Sequence, residues 1–269
     1  MFGIPNFGNS MPKRPGNGCS RIIQRKTFCR STLICINDSQ RSKEYTMSFI
    51  VLHGALGSRH QFETLLKEFG DAEFIEFPGH GTTPDTDMPW TIDLFANVLE
   101  ERLGERKNVD VFGYSMGGYV ALTLALRRPE LFRRIVTLGT KLQWTPESAE
   151  KESSRLNPGV IETKVPAFAT DLARRHGAER WQNVLGRTAE LMIDLGLSPR
   201  LTPDNISTLS VNVQYMLGDA DEMVTLDETL AFRFATPQSN LAILPGTRHP
   251  IEKVRPELLS TVLRDAFQR

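Results

Sequence analysis

The feature that most limits what this chain can fold into is Phe112-Gly113-Tyr114-Ser115-Met116-Gly117-Gly118. It lies between an apolar, β-rich run (Val109, Val111, Phe112) and a helical pattern over 119–126. Gly-x-Ser-x-Gly at a strand-to-helix junction holds the serine on a tight turn, with its hydroxyl exposed above a sheet edge. Side chains at 113 and 117 would collide with neighbouring backbone, and glycine at both positions avoids this. The next helix points its N-terminus at the same spot, which leaves the Met116 amide free to donate to a developing oxyanion. Small residues at Gly118, Ala121 and Ala125 let that helix lie close to the sheet.

The flanking sequence supplies the rest of the sheet. Short apolar runs at 48–52, 72–77, 108–114, 134–139, 211–217 and 241–244 are predicted strands, separated by helical patterns. Phe62, Leu65, Leu66 and Phe69 fall at i, i+3, i+4 and i+7, and Ile92, Phe95, Val98, Leu99 and Leu103 mark a second amphipathic helix. A further helix is expected around Leu226, Leu230 and Phe234, and Leu259, Val262, Leu263 and Ala266 behind Pro256 make the closing one. Strands alternating with helices predict α/β, a mainly parallel doubly wound sheet with helices on both faces.

The alternation breaks between 141 and 205, where only helical patterns occur, starting at Thr145-Pro146-Glu147. We read 141–205 as a helical cap inserted into a core made of 47–140 and 206–269. Trp144, Phe168, Trp181 and Met192 are its candidate substrate contacts, although large residues there are more often packing.

The zero net charge of the 269 residues hides an asymmetry. Residues 1–46 carry eight Lys and Arg against Asp38 and Glu44, +6, leaving 24 basic and 30 acidic residues, −6, on the other 223. An acidic body argues against nucleic-acid binding. Cys19, Cys29 and Cys35 all lie in the basic segment, so the body holds neither a disulfide framework nor a cysteine-based metal site. Residues 1–46 lack sustained periodicity and are expected to be a disordered extension, with a short strand at 32–36 as its one candidate element. A start upstream of Met47 or a basic tail fits this segment better than a transit peptide. No apolar run reaches the ~20 residues of a membrane span. A cysteine-free body agrees with a reducing compartment, and the expected location is cytoplasmic, with organellar targeting by residues 1–46 as the alternative. Oligomeric state is not legible.

A serine hydroxyl needs a hydrogen-bonded base, normally histidine, held in one tautomer by a carboxylate. Of the five histidines, His53, His60, His80 and His176 sit in a first loop, a helix start, a turn and the end of a helix. His249 alone follows a late strand, at the carboxyl edge where open α/β sheets place their sites. Asp219, Asp221, Glu222 and Asp227 are the nearby acids. Asp221 has the reach, whereas Asp219 is close enough to the strand end to serve the turn. Neither metal-ligand spacing nor a phosphate or dinucleotide fingerprint occurs, so neither metal nor cofactor is expected.

Over 47–269 the chain resembles the α/β-hydrolase superfamily, through the His53-Gly54-Ala55 loop, the turn at Ser115, and Gly218-x-x-Asp221 followed by His249. The resemblance implies a Ser115–His249–Asp221 triad, an oxyanion hole from the Ala55 and Met116 amides, and a small-molecule acyl substrate such as an ester or thioester. Three positions depart from the family pattern: Glu76 where an aspartate is usual before the Pro78-Gly79-His80-Gly81 turn, Asn212 where a proline often opens the strand, and Val254 where a glutamate is common. A similar His-Gly-x-Leu-Gly loop and Pro-Gly-His-Gly turn also occur in a lyase of menaquinone biosynthesis, which makes triad-dependent elimination the alternative reaction. A non-catalytic ligand receptor on the same fold is the weaker one.

Overall fold

The computed structural model describes residues 48–269. The expectations for residues 1–46, including the strand at 32–36, lie outside the described residues. Strands β1 (Ile50–Leu52), β2 (Glu73–Ile75), β3 (Val109–Tyr114), β4 (Phe132–Leu138), β5 (Asn212–Gly218) and β6 (Ser239–Leu244) form one parallel sheet in the order β2-β1-β3-β4-β5-β6. The chain steps outward from β1 to β2, then returns to the far side of β1 with β3. That reversal opens a crevice at the carboxyl ends of β1 and β3, the usual ligand position in such sheets. Leu52 stands level with Gly113 across this pair, so the loop after β1 and the turn after β3 are neighbours.

Strand side chains alternate between two cores, as the period-two geometry requires. Ile50, Leu52, Val111, Ile135 and Val213 pack on one face, and Val51, Phe112, Val136 and Met216 on the other. The first face is covered by α2 (Ile92–Leu103) and α3 (Met116–Arg127). On the second, α1 (Glu63–Glu68) is joined by the closing helix, which buries Leu259, Leu263, Ala266 and Phe267. In α2 the Thr91 hydroxyl accepts from the Leu94 amide, and Ile92, Phe95, Ala96, Leu99 and Leu103 are buried. Val98, on the edge of that stripe, is half-buried.

Between β4 and β5 lie five α-helices: α4 (Pro146–Ser153), α5 (Pro158–Lys164), α6 (Pro166–His176), α7 (Trp181–Leu197) and α8 (Pro203–Ile206). Four of them start on proline, whose fixed φ suits a first helical turn. Thr145, Asn157 and Thr202 cap three of these by accepting from amides three residues on. Among the described residues no helix is long and apolar enough to cross a membrane.

Helix α9 (Leu226–Ala235) forms, but Leu226 and Phe234 are 46% and 76% exposed, while Glu228, Thr229 and Phe232 are buried. The helix is turned by its first turn. Thr225 and Glu228 make a capping box, and the Glu228 carboxylate also accepts from the Leu142 and Gln143 amides, which draws the polar N-terminus inward. Helix α10 (Pro256–Gln268) completes the chain.

Candidate active site

Ser115 sits at φ +50°, ψ −115°, a conformation that non-glycine residues rarely adopt. Such strain persists where the surroundings over-determine it. Here a Cβ on Gly113 would stand 2.5 Å from the Gly118 backbone, and one on Gly117 2.6 Å from the Leu52 carbonyl oxygen. The Ser115 amide donates to the Leu138 carbonyl (2.8 Å), and Thr140 Oγ1 donates to the Ser115 carbonyl (3.0 Å). The turn is thus pinned from β4.

The loops after β5 and β6 bring two further groups to Ser115. Ser115 Oγ lies 3.3 Å from His249 Nε2, and His249 Nδ1 lies 2.8 Å from Asp221 Oδ2. The Asp221 side chain is 2% exposed and that of His249 18%. Asp221 Oδ1 accepts from the Met223 and Val224 amides, both at 2.9 Å, so both carboxylate oxygens are engaged. The Tyr114 hydroxyl donates to the His249 carbonyl (2.8 Å), and burial pushes its own pKa up. Gly139, at φ +58°, leaves room for the pair: a Cβ there would meet Asp221 Oδ2 at 3.1 Å and His249 Nδ1 at 3.3 Å.

Next to Ser115 is a small, mostly apolar cavity of about 30 Å³, walled by Ala55, Ile92, Met116, Tyr119, Lys141, Trp144, Leu191, Met192, Leu195 and Met223. Ala55 and Met116, the expected oxyanion donors, both line it. Met116 opens α3, where first-turn amides have no intrahelical acceptor. On the other side of Met223 an open depression of about 610 Å³ is lined by Arg155, Glu222, Arg248, His249, Pro250 and Lys253.

Of the four candidate contacts on the insert, Trp144 and Met192 reach the cavity, whereas Phe168 and Trp181 do not line it. Trp181 begins α7, about 15 Å along the helix from Leu191 at 1.5 Å per residue. Phe168 lies one position off the buried stripe of α6, which runs Ala169, Leu172, His176. Sequence reasoning missed Lys141 and Met223. Both follow carboxyl ends of strands, so the rule that singled out His249 also applies to them.

The remaining histidines are accounted for elsewhere. His53 Nε2 accepts from the Phe77 amide (3.0 Å), and its Nδ1 meets the Gly54 carbonyl (2.8 Å). His176 Nδ1 accepts from the Gly81 amide (3.0 Å), and its Nε2 donates to the Leu56 carbonyl (3.1 Å). Burial lowers both to about 4, and holds His80 well below its ordinary value. His60 is exposed and pairs with Glu63. Glu76 serves the turn it precedes, accepting from the Arg59 amide (2.9 Å) and the Thr82 amide (3.1 Å).

Residues 49–259 match the model of the alpha/beta hydrolase family. The chain belongs to that family. Over 127 residues it is 28% identical to a pimeloyl-(acyl-carrier protein) methyl ester esterase of Neisseria meningitidis, a match covering 46% of this chain and 48% of that protein. Over 180 residues it is 27% identical to the sn-1-specific diacylglycerol lipase ABHD11 of Danio rerio, covering 63% and 56%. The chain thus matches about half the length of these curated relatives. Among solved structures, MenH from S. aureus superposes with a TM-score of 0.66 over 84% of this chain and 95% of that one, at 18% identity. NosK from Streptomyces actuosus does so with 0.66 over 82% and 97%, at 21% identity. Both likenesses are to the fold.

Proposed function

We propose that this hydrolase-family chain cleaves an ester, thioester or related acyl bond of a small molecule, through an acyl-enzyme on Ser115. The observation that carries the reading is the unbroken line Ser115 Oγ, His249 Nε2, His249 Nδ1, Asp221 Oδ2, at 3.3 and 2.8 Å. His249 takes the hydroxyl proton as Oγ attacks the acyl carbon, and Asp221 stabilises the resulting imidazolium and fixes its tautomer. The 3.3 Å approach shortens as substrate binds, a common behaviour of catalytic hydrogen bonds. The Ala55 and Met116 amides receive the oxyanion. His249 then protonates the leaving group, and water repeats the sequence to release the acid. Nucleophile, base and oxyanion donors all come from the chain, so this chemistry needs no cofactor.

In this reading residues 141–205 are a cap. A cavity of about 30 Å³ has room for about one water, so acyl binding has to displace Met192, Leu195 and Met223. The leaving group departs toward the open depression beyond His249. The family likeness and the esterase names among the relatives support the class of bond cleaved.

The test is hydrolysis of p-nitrophenyl acetate and butyrate by the wild type and by Ser115→Ala, with circular dichroism to check folding. Loss of turnover in a folded Ser115→Ala protein is expected. Turnover undiminished in that variant would overturn the proposal. A wild type inert to every ester, with Ser115 still reactive toward a fluorophosphonate, would point to elimination chemistry instead.

A further inference from the structure

Among the described residues, Lys141 is the one charged side chain lining the cavity beside Ser115. Its side chain is only 12% exposed, and its ammonium makes no hydrogen bond to any described residue. The nearest anion is Glu228 Oε2 at 3.6 Å, and the Trp144 ring lies beneath it with its centroid 5.6 Å away. Trp144 is held in turn, because its Nε1 donates to the Lys141 carbonyl (3.1 Å).

Lys141 balances the charge of Glu228 but does not hydrogen-bond to it. Glu228, 4% exposed, accepts from the amides of Leu142 (2.9 Å), Gln143 (3.3 Å) and Thr225 (3.3 Å) and from Thr225 Oγ1 (3.3 Å). It also stands in the first turn of α9, where the helix dipole favours a carboxylate. The hydrogen-bonding capacity of the carboxylate is met without the lysine, which supplies only the opposite charge. The lysine's own hydrogen-bonding capacity is left for a ligand beside a mostly apolar space, where a charged donor meeting a charged acceptor forms a strong, charge-assisted hydrogen bond. The other polar wall groups are engaged: the Tyr119 hydroxyl accepts from the Arg200 and Leu201 amides, each at 3.0 Å.

Resting on the hydrolase reading above, we propose that Lys141 selects acyl groups that carry a carboxylate, so that the substrate is the monoester or monothioester of a short dicarboxylic acid. The acid is short because Ser115 and Lys141 are walls of one small cavity, which keeps the carboxylate within a few bonds of the reacting carbonyl. The ester carbonyl lies against Ser115, the free carboxylate accepts from Lys141 Nζ, and hydrolysis releases the dicarboxylic acid and the alcohol or thiol.

The experiment compares kcat/KM for monomethyl succinate and monomethyl glutarate with methyl butyrate and methyl valerate, by proton release. It uses the wild type, Lys141→Met and Lys141→Arg, with melting temperatures to confirm folding. The wild type should prefer the half-esters on the order of ten- to a hundredfold, the range for a hydrogen bond to a charged group. Lys141→Met should lose that preference and Lys141→Arg should keep part of it. A wild-type preference for the neutral esters, or a ratio unchanged in Lys141→Met, would overturn the assignment. Binding of monomethyl glutarate to Ser115→Ala and to Ser115→Ala/Lys141→Met, by calorimetry, keeps this claim separate from the hydrolase reading. If no ester is turned over, the hydrolase reading falls, while weaker binding on loss of Lys141 still supports its role. Equal binding by the two proteins, or none by Ser115→Ala, overturns it.

Discussion

The Thr247 amide donates to Asp219 Oδ1 at 3.1 Å, which ties the loop after β5 to the one after β6. Asp219 thus aligns the loop that carries His249, while Asp221, two residues on, meets the imidazole itself. Asp221→Asn should leave the fold intact and lower kcat by roughly four orders of magnitude, because the amide favours the wrong tautomer. Asp219→Asn keeps an oxygen for the Thr247 amide and should stay within about threefold of wild type, well under the ~1.4 kcal/mol of a tenfold change. Kinetics of both variants on one ester, at equal folded concentration, decide between them. A crippled Asp219→Asn beside a near-normal Asp221→Asn would contradict the assignment.

Gly139→Ala should damage activity more than stability. The left-handed conformation adds about 1–2 kcal/mol of strain for a residue with a Cβ, and that Cβ would press on both Asp221 and His249. The expected outcome is a melting temperature lower by several degrees and a kcat lower by one to two orders of magnitude, about 1.4–2.7 kcal/mol at the barrier. Equal fractional losses in kcat among unrelated destabilised surface variants would argue against a local effect.

The two cavity residues of the insert should separate from the two that lie elsewhere. Met192→Ala and Trp144→Ala should raise KM for short acyl esters. Phe168→Ala, on an exposed helix face, should change neither KM nor melting temperature, since surface substitutions usually stay within about 0.5 kcal/mol. Trp181→Ala removes a buried ring and should lower stability by about 3–5 kcal/mol with KM unchanged in the folded fraction.

Stability should fall with acid in a defined window. His53 and His176 titrate near 4 in the fold, below the ordinary value of 6.5. Between those pH values the unfolded chain binds protons there that the folded chain does not. The native state therefore has its full stability above about 6.5 and loses about 1.4 kcal/mol per pH unit per group as the pH falls toward 4. Urea unfolding at pH 7, 5.5 and 4.5 reads the slope. His176→Gln, which can still donate to Leu56 and accept from Gly81, should make it shallower by about one proton, and an unchanged slope would contradict this origin.

Much of the sheet and the meeting of the serine, histidine and acid were legible because they depend on chain order and on the carboxyl edge of a parallel sheet, both written locally. The face of α9 was not legible. Leu226, Leu230 and Phe234 form a plausible stripe, but the orientation follows from Glu228 reaching the Leu142 and Gln143 amides 86 and 85 positions away. Nor was the cavity wall. Trp144 and Trp181 look alike in sequence, and only the length of α7 and the path of the insert separate them. Nor was Lys141 legible as a cavity residue, because a lysine after a strand is ordinarily solvated and its partial burial arises from long-range packing.

The most direct test of the central claim, that Ser115 is the activated nucleophile, is titration of the protein with a fluorophosphonate, following ester hydrolysis and adduct mass together. One adduct per chain is expected, on the peptide carrying Ser115, with activity lost in proportion to labelling and no adduct on Ser115→Ala. Activity that survives complete labelling, or an adduct on a different residue, would contradict it.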